Sequence, residues 1–484
     1  MSRYFRGSTT GSESSRCPRR PSSLRFALAP ALLFCCGDLL NARVLYVDGT
    51  LPAGCPSGNY NVASRSCAGS DGVAYPTFAP AIAAMQPGDT VSIRGGVYTD
   101  PIAVAKSGTA AAHLQIAAYS GESAVIDLSA ATGSINGIDV SFQSYVDVRG
   151  LAVRNAPIYG FKGSGGDHLT LTGSEIAHST HGGVIFENAS NIVVSGCNVY
   201  DNNRGGLGSW NEAISMQNVQ RFQIVNCDVH DNAKEGIDAK YGSSQGTITG
   251  NRSYRNNGPN IYLDAVNSIE VFGNICHDTV SNSKACLGIS IESTYNPAMY
   301  TTHDLKIYNN VLYGSGAGIW FWIESGGLSW ATFSNIRLEY NTISDNNLNS
   351  WGGILILDGS AANFGAGNTV RNNIFWNNTG KSIQDYGGVV QLFLIDHNLF
   401  RTGEQSSSFG TNAVVSSINP FVGESARDYH LVSGSPARNA GQFVPDIMTD
   451  LEGQPRPSTS PDAGAYQYKS VLPPSPPTNL RLRP

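Results

Sequence analysis

An eight-residue pattern, apolar-x-apolar-x-Gly/Asn-x-x-apolar, recurs down this chain and constrains its fold more than any other feature. It reads VDVRGLAV at 146–153, LTLTGSEI at 169–176, IVVSGCNV at 192–199, FQIVNCDV at 222–229, IEVFGNIC at 269–276, LKIYNNVL at 305–312 and IRLEYNTI at 336–343, with looser copies between and after these. The turn residues Gly150, Gly173, Gly196, Asn226, Gly250 and Gly273 follow one another at intervals of 23, 23, 30, 24 and 23 residues. A period this short holds about three short strands and their turns, which is one coil of a stacked solenoid.

Stacking turns sequence positions into columns. The residue after the turn is Asn251, Asn274, Asn310, Asn341 and Asn373 in successive coils; at a spacing of about 4.8 Å their amides bond one another along the axis. Three positions past the turn stands an apolar column, Val153, Ile176, Val199, Val229, Cys276, Leu312, Ile343 and Phe375, so Cys276 reads as core. Cys197 and Cys227 share the ladder column, either as a disulfide or as two stacked thiols. A second strand per coil begins near Gly, as in GIDAK (236–240), NIYLD (260–264), GISIE (288–292) and GIWFW (318–322). Alternation sends its second and fourth residues inward, which predicts one column of Ile237, Ile261, Ile289 and Ile319. The chain therefore reads as all-β, a parallel solenoid of about ten to twelve coils. The crossover rule makes it right-handed, and it resembles the right-handed parallel β-helix.

The outward residues of that second strand also form columns. One runs Glu187, Gln217, Lys240, Asp264, Glu292, Trp322; the other runs Ile185, Ser215, Asp238, Tyr262, Ser290, Trp320. Glu212 and Glu235 stack at the bend just before, beside Asn211. The chain has only eight Lys, so one Lys among Asp238, Asp264 and Glu292 concentrates chemistry on this face. The plain structural reading of the same residues is a solvated ion-pair network of little energetic weight. Trp320 and Trp322 project from the same face about 7 Å apart; they are candidates for stacking on sugar rings, or packing residues under a loop.

The ends suggest five segments: a targeting segment over 1–42, an N-terminal cap with the first strand over 43–89, the β-helix over 90–418, a closing segment over 419–469 and a Pro-rich tail over 470–484. Arg16, Arg19, Arg20 and Arg25 precede an apolar run too short to span a bilayer, so export is expected and a transmembrane segment is not. FAPAIAAM at 78–85 resembles the capping helix of secreted β-helix proteins. Of nine cysteines three lie in the targeting segment; among the rest, Cys55 and Cys67 flank a short loop and make the expected disulfide. Lys+Arg 31 against Asp+Glu 37 gives a net charge of −6 with no basic stripe, which argues against nucleic acid as a partner. A monomer is expected.

GSWNEAISM (208–216), EGIDAKYGSSQGTITGN (235–251) and NIYLDAVNSIEVFGN (260–274) together resemble the central coils of the chondroitinase B and alginate lyase family. The resemblance implies a polysaccharide lyase acting on an acidic polysaccharide, with Asn211, Glu212 and Glu235 holding calcium and Lys240 as the base. It also implies an Arg on the next coil, where this chain has Asp264. β-Elimination from a uronate needs the carboxylate neutralised, the C5 proton removed and the O4 group released. Carboxylates around Lys240 favour its charged form, and bound calcium would reverse that field. Asp238 and Tyr262 complete the catalytic candidates; Trp320, Trp322, Glu292 and Gln217 are the substrate-binding candidates. Two other functions suit the same face. A glycoside hydrolase would use paired carboxylates of adjacent coils such as Asp238 and Asp264, and a non-catalytic module would bind glycans through its Trp pair.

Overall fold

The turn residue of each repeat takes the left-handed backbone conformation that lets a strand end and its successor begin. At Gly150 and Gly250 φ is +68° and +66°, and at Asn226, Asn309 and Asn372 it is +53°, +54° and +59°. Asn is the side-chain-bearing residue that best tolerates this region. The structure, a computed structural model, describes residues 42–205, 212–291, 301–323 and 331–470. Residues 1–41 and 471–484, which hold most of the expected targeting segment and Pro-rich tail, lie outside the described residues.

Three parallel sheets of fourteen, thirteen and eleven strands run the length of a β-helix of about twelve turns. The first sheet carries the strand before the turn residue, such as Gln220–Val225 and Ser244–Thr249; the second carries the short strand after it, such as Asp228–His230 and Arg252–Tyr254. The third carries Ile214–Gln217, Ile237–Lys240, Ile261–Asp264, Ala285–Ile291 and Ala317–Ile323 in succession. The only α-helix among the described residues, Phe78–Ala84, buries Phe78, Ala81 and Ile82 near the first strands. Cys55 and Cys67 form a disulfide. No helix among the described residues is long and apolar enough to cross a membrane.

Inside, the apolar column past the turn stacks as the repeat requires, Val153 on Ile176, Ile176 on Val199 and Val199 on Val229, with Cys276 fully buried beneath Leu312. Cys197 and Cys227 are free buried thiols. The third sheet departs from the sequence reading at one strand. Ile261 pairs with Leu287, not Ile289, and Leu287 with Ile319; Ile289 stands between Leu263 and Phe321. The strand begins at Ala285, so the coil is in register two residues earlier than its Gly suggests. A two-residue slip leaves every side chain on its predicted face, which is why alternation alone does not reveal it.

The asparagine ladder runs one rung further than predicted. Each Nδ2 donates to the next Oδ1, from Asn251 to Asn274, Asn310, Asn341, Asn373 and Asn398, at 3.0, 3.0, 3.0, 3.1 and 3.0 Å. A second ladder, not read from the sequence, joins Asn202, Asn232, Asn256 and Asn260. On the outer side, Tyr200, His230, Tyr254, His277 and Tyr313 stack ring on ring at 5.2, 4.9, 4.7 and 4.8 Å. The C-terminal segment lies along the side of three coils. Thr449 O accepts from Asn309 Nδ2, and Gln442 O accepts from Tyr340 Oη and Asn372 Nδ2.

Candidate active site

Lys240 ends its strand with its side chain on the outer face of the third sheet, next to Gln217 on one side and Asp264 on the other. It is nevertheless only 5% exposed. Its ammonium is hydrogen-bonded to Glu212 Oε1 and lies 3.1 Å from Asp238 Oδ2. Glu212 Oε2 accepts from Ser215 Oγ at 2.6 Å, and Gln217 Nε2 donates to that same Oγ at 3.2 Å. Asp264 is wholly buried, accepting from Ser290 Oγ at 3.2 Å. The charged groups that the plain structural reading left solvated are buried; the Tyr241 ring centre lies 5.2 Å from the Lys240 ammonium and Tyr262 lines the same recess.

Glu212, Asp238 and Lys240 floor a recess of about 240 Å³ whose walls include Glu235, Tyr262, Trp320 and Trp322. Burial would lower the Lys240 pKa, but the charges of Glu212 and Asp238 outweigh it and hold the ammonium well above its ordinary value. Asp238 moves the other way from a usual ion-paired carboxylate. Burial, joined by Glu212, Glu235 and Asp264, raises its pKa well above 3.8 against the pull of Lys240. Glu235 is raised by burial first and by Glu212 second. Asp238 Oδ1 is buried without a hydrogen-bond partner. Burial and the neighbouring carboxylates therefore bias Asp238 toward its protonated form.

The Trp pair differs from its sequence reading. The rings stack at 5.8 Å, but Trp320 is only 5% exposed, packed with Ala285, Ala317 and Leu355 and 6.0 Å from Trp351; Trp322 alone is half-buried. Gly288 makes this packing possible. It sits between Tyr262 and Trp320 in the register, and a Cβ there would stand 2.6 Å from the Tyr262 ring and in collision with the Trp320 indole nitrogen. The register shift also puts Ser290 beside Asp264 and Trp322, where Glu292 was expected. Glu292 and Asn211 lie outside the described residues.

Calcium was expected on Asn211, Glu212 and Glu235. Both oxygens of Glu212 are engaged, one by Lys240 and one by Ser215, and among the described residues no three His, Cys, Asp or Glu side chains are grouped to hold a metal ion. As they stand, the described donors do not fit the cation. Sequence reasoning missed Lys234 and Lys284, both lining the recess. Three of the chain's eight Lys converge there, and the rarity of Lys was the available signal.

Residues 60–234 match a family model described as the Pel9A-like right-handed beta helix region, and residues 284–399 match one described as the right-handed beta helix region. No curated protein matches the chain. Among solved structures, that of pectate lyase Pel9A shares 16% identity over 88% of this chain and 96% of that one, with a TM-score of 0.50. XylC in complex with xylose shares 10% over 88% and 98%, TM-score 0.47, and an alginate lyase from Paenibacillus sp. str. FPU-7 shares 16% over 60% and 93%, TM-score 0.46. At 16% identity the likeness to Pel9A speaks to fold alone. The chain is a right-handed parallel β-helix, of which residues 60–234 are similar to the Pel9A-like region.

Proposed function

We propose that this protein cleaves an acidic polysaccharide by β-elimination in the recess around Lys240. The observation that carries the reading is Lys240 itself, the one lysine buried among the described residues, on the outer face of a β-helix and hydrogen-bonded to a carboxylate that can take its proton. A sugar closing over the recess excludes water, and desolvation favours a neutral amine beside a neutral acid over an ion pair. Lys240 then passes one proton to Glu212 and takes the C5 proton of the uronate. The C4–O4 bond breaks as the C4–C5 double bond forms, and the departing O4 takes the proton held by Asp238. Tyr262 and Trp322 offer the ring its contact surface. No step runs through a metal. The likeness in fold to pectate lyase Pel9A agrees with this chemistry, and the Cys55–Cys67 disulfide agrees with work outside the cytoplasm.

The test is incubation with pectate, alginate and other uronate-containing glycans while following the ultraviolet absorbance of the conjugated, unsaturated product. Absorbance that grows with wild type and not with Lys240→Arg is the expected result, because Arg keeps the charge but does not give up a proton in proteins. The buried Asp238 carboxyl, its Oδ1 without a hydrogen-bond partner and its pKa raised, favours one second reading, a glycoside hydrolase with that residue as acid. New reducing ends without unsaturation would establish it and sink elimination. A chelator arm addresses calcium in the same assay: lost turnover, restored by added calcium, would require donors beyond the described ones.

A further inference from the structure

Two of the three lysines that line the recess are in opposite electrostatic states. Lys240 is compensated by Glu212 and Asp238. Lys284 has no carboxylate at ion-pair distance among the described residues; its ammonium instead lies 5.4 Å from the centre of the Trp320 ring. A ring face holds a cation by its quadrupole and does not cancel its charge. Both partners are held in place. The Lys284 carbonyl accepts from Gly316 N at 2.9 Å and its own N–H donates to Ser281 O at 3.3 Å. Trp320 is locked among Ala285, Ala317 and Leu355.

Resting on the reading that a sugar occupies this recess, we infer that Lys284 binds the sugar's carboxylate, making the site selective for acidic over neutral glycans and setting the sugar's orientation. The floor carries Glu212 and the wall Glu235, which repel a ligand carboxylate; Lys284 is a wall cation with no carboxylate at ion-pair distance among the described residues. A uronate therefore enters with its carboxylate toward Lys284 and its ring against Trp322, the accessible member of the stacked pair. That pose leaves the ring's own C–H groups facing Lys240. Lys284 thus supplies, from the turn before the next strand, the cation that Asp264 does not supply from within its own.

The experiment measures binding of oligogalacturonate and oligomannuronate, and of the same oligosaccharides after carboxyl reduction, by calorimetry on the Lys240→Arg protein, which leaves the ligand uncut. Lys284→Gln is expected to weaken the better-bound uronide about 10–100-fold, the value of a charge-assisted hydrogen bond. Binding of the reduced ligand should not change, Lys284→Arg should restore most of the affinity, and added salt should weaken wild-type binding more than that of Lys284→Gln. Unchanged uronide affinity in Lys284→Gln, equal loss for both ligand types, or no uronide binding to the parent protein would each overturn the inference. Lys284-dependent binding in a protein whose wild type forms no unsaturated product would sink elimination and leave this assignment standing.

Discussion

Two columns of buried polar groups run along this helix, and they are built in opposite ways. In the ladder from Asn251 to Asn398 each amide is satisfied on both sides: Asn310 Oδ1 accepts from Asn274, while its Nδ2 donates to Val271 O at 2.9 Å and to Asn341 Oδ1. In the recess, charge is crowded and incompletely paired, with Asp238 Oδ1 buried and unpartnered. Satisfied networks specify a fold, whereas buried groups held off their ordinary protonation states mark sites where protons move. The contrast teaches which column serves architecture and which serves chemistry.

The sharpest way to break that division is Lys240→Arg. If the recess is chemistry, turnover falls about 10²–10⁴-fold, the usual contribution of a general base, while the far-ultraviolet circular dichroism and melting temperature stay close to wild type. Wild-type turnover in that variant would remove Lys240 from the mechanism. The ladder should answer differently. Asn310→Leu removes four buried hydrogen bonds, those from Asn274 N and Asn274 Nδ2 to its Oδ1 and those from its Nδ2 to Val271 O and Asn341 Oδ1, at about 0.5–1.5 kcal/mol each. Urea titration should show a loss of several kcal/mol, with the recess chemistry intact in the protein that remains folded.

A smaller effect separates a functional charge cluster from a stabilising one. Lys240→Met leaves Glu212 buried without its partner, and removing one member of a buried pair costs about 3–5 kcal/mol. Adding Glu212→Gln should recover most of that loss, since neutral replacements of a buried pair are often tolerated. Failure of the second substitution to recover stability would mean that the pair holds the strands together and that the recess is architecture after all.

How much of this contrast was legible in the sequence follows from what each column depends on. The ladder is local: a turn residue, then Asn, repeated, so it could be read rung by rung, with only Asn398 overlooked because its coil is looser. Face assignment was also legible, since period-2 alternation placed Lys240, Asp264 and Trp322 outward and Ile237 and Leu263 inward. Register between coils was not. Gly288 looks like the start of a strand, yet it is a mid-strand position kept small for Tyr262 and Trp320. Burial of Lys240 was equally hidden, because it depends on how Glu212, Asp238 and the Tyr241 ring gather around its ammonium. Lys284 lies in a turn, where no periodicity speaks.

The smallest expected effect is a change in pH dependence, and its sign distinguishes the recess from a conventional ion pair in the same molecule. At Asp48, burial would raise the pKa, but bonds from Arg65, Tyr60 and Thr50 prevail and lower it below the ordinary carboxylate range. Its stabilisation is full above the unfolded value of 3.8 and is lost as pH falls below it. Asp238 is the reverse. Its folded pKa is raised, so the folded protein keeps a proton that the unfolded chain releases once pH passes 3.8. Its contribution is full below 3.8 and declines as pH rises toward its folded pKa. Asp238→Asn abolishes that titration and leaves Asp48 untouched. Melting curves taken from mildly acidic to neutral pH should therefore lose part of their downward slope in Asp238→Asn, while the acid limb below pH 3.8 keeps its shape. An unchanged slope above 3.8 would show that Asp238 titrates alike in both states, and the proton assigned to the departing O4 would have to come from elsewhere.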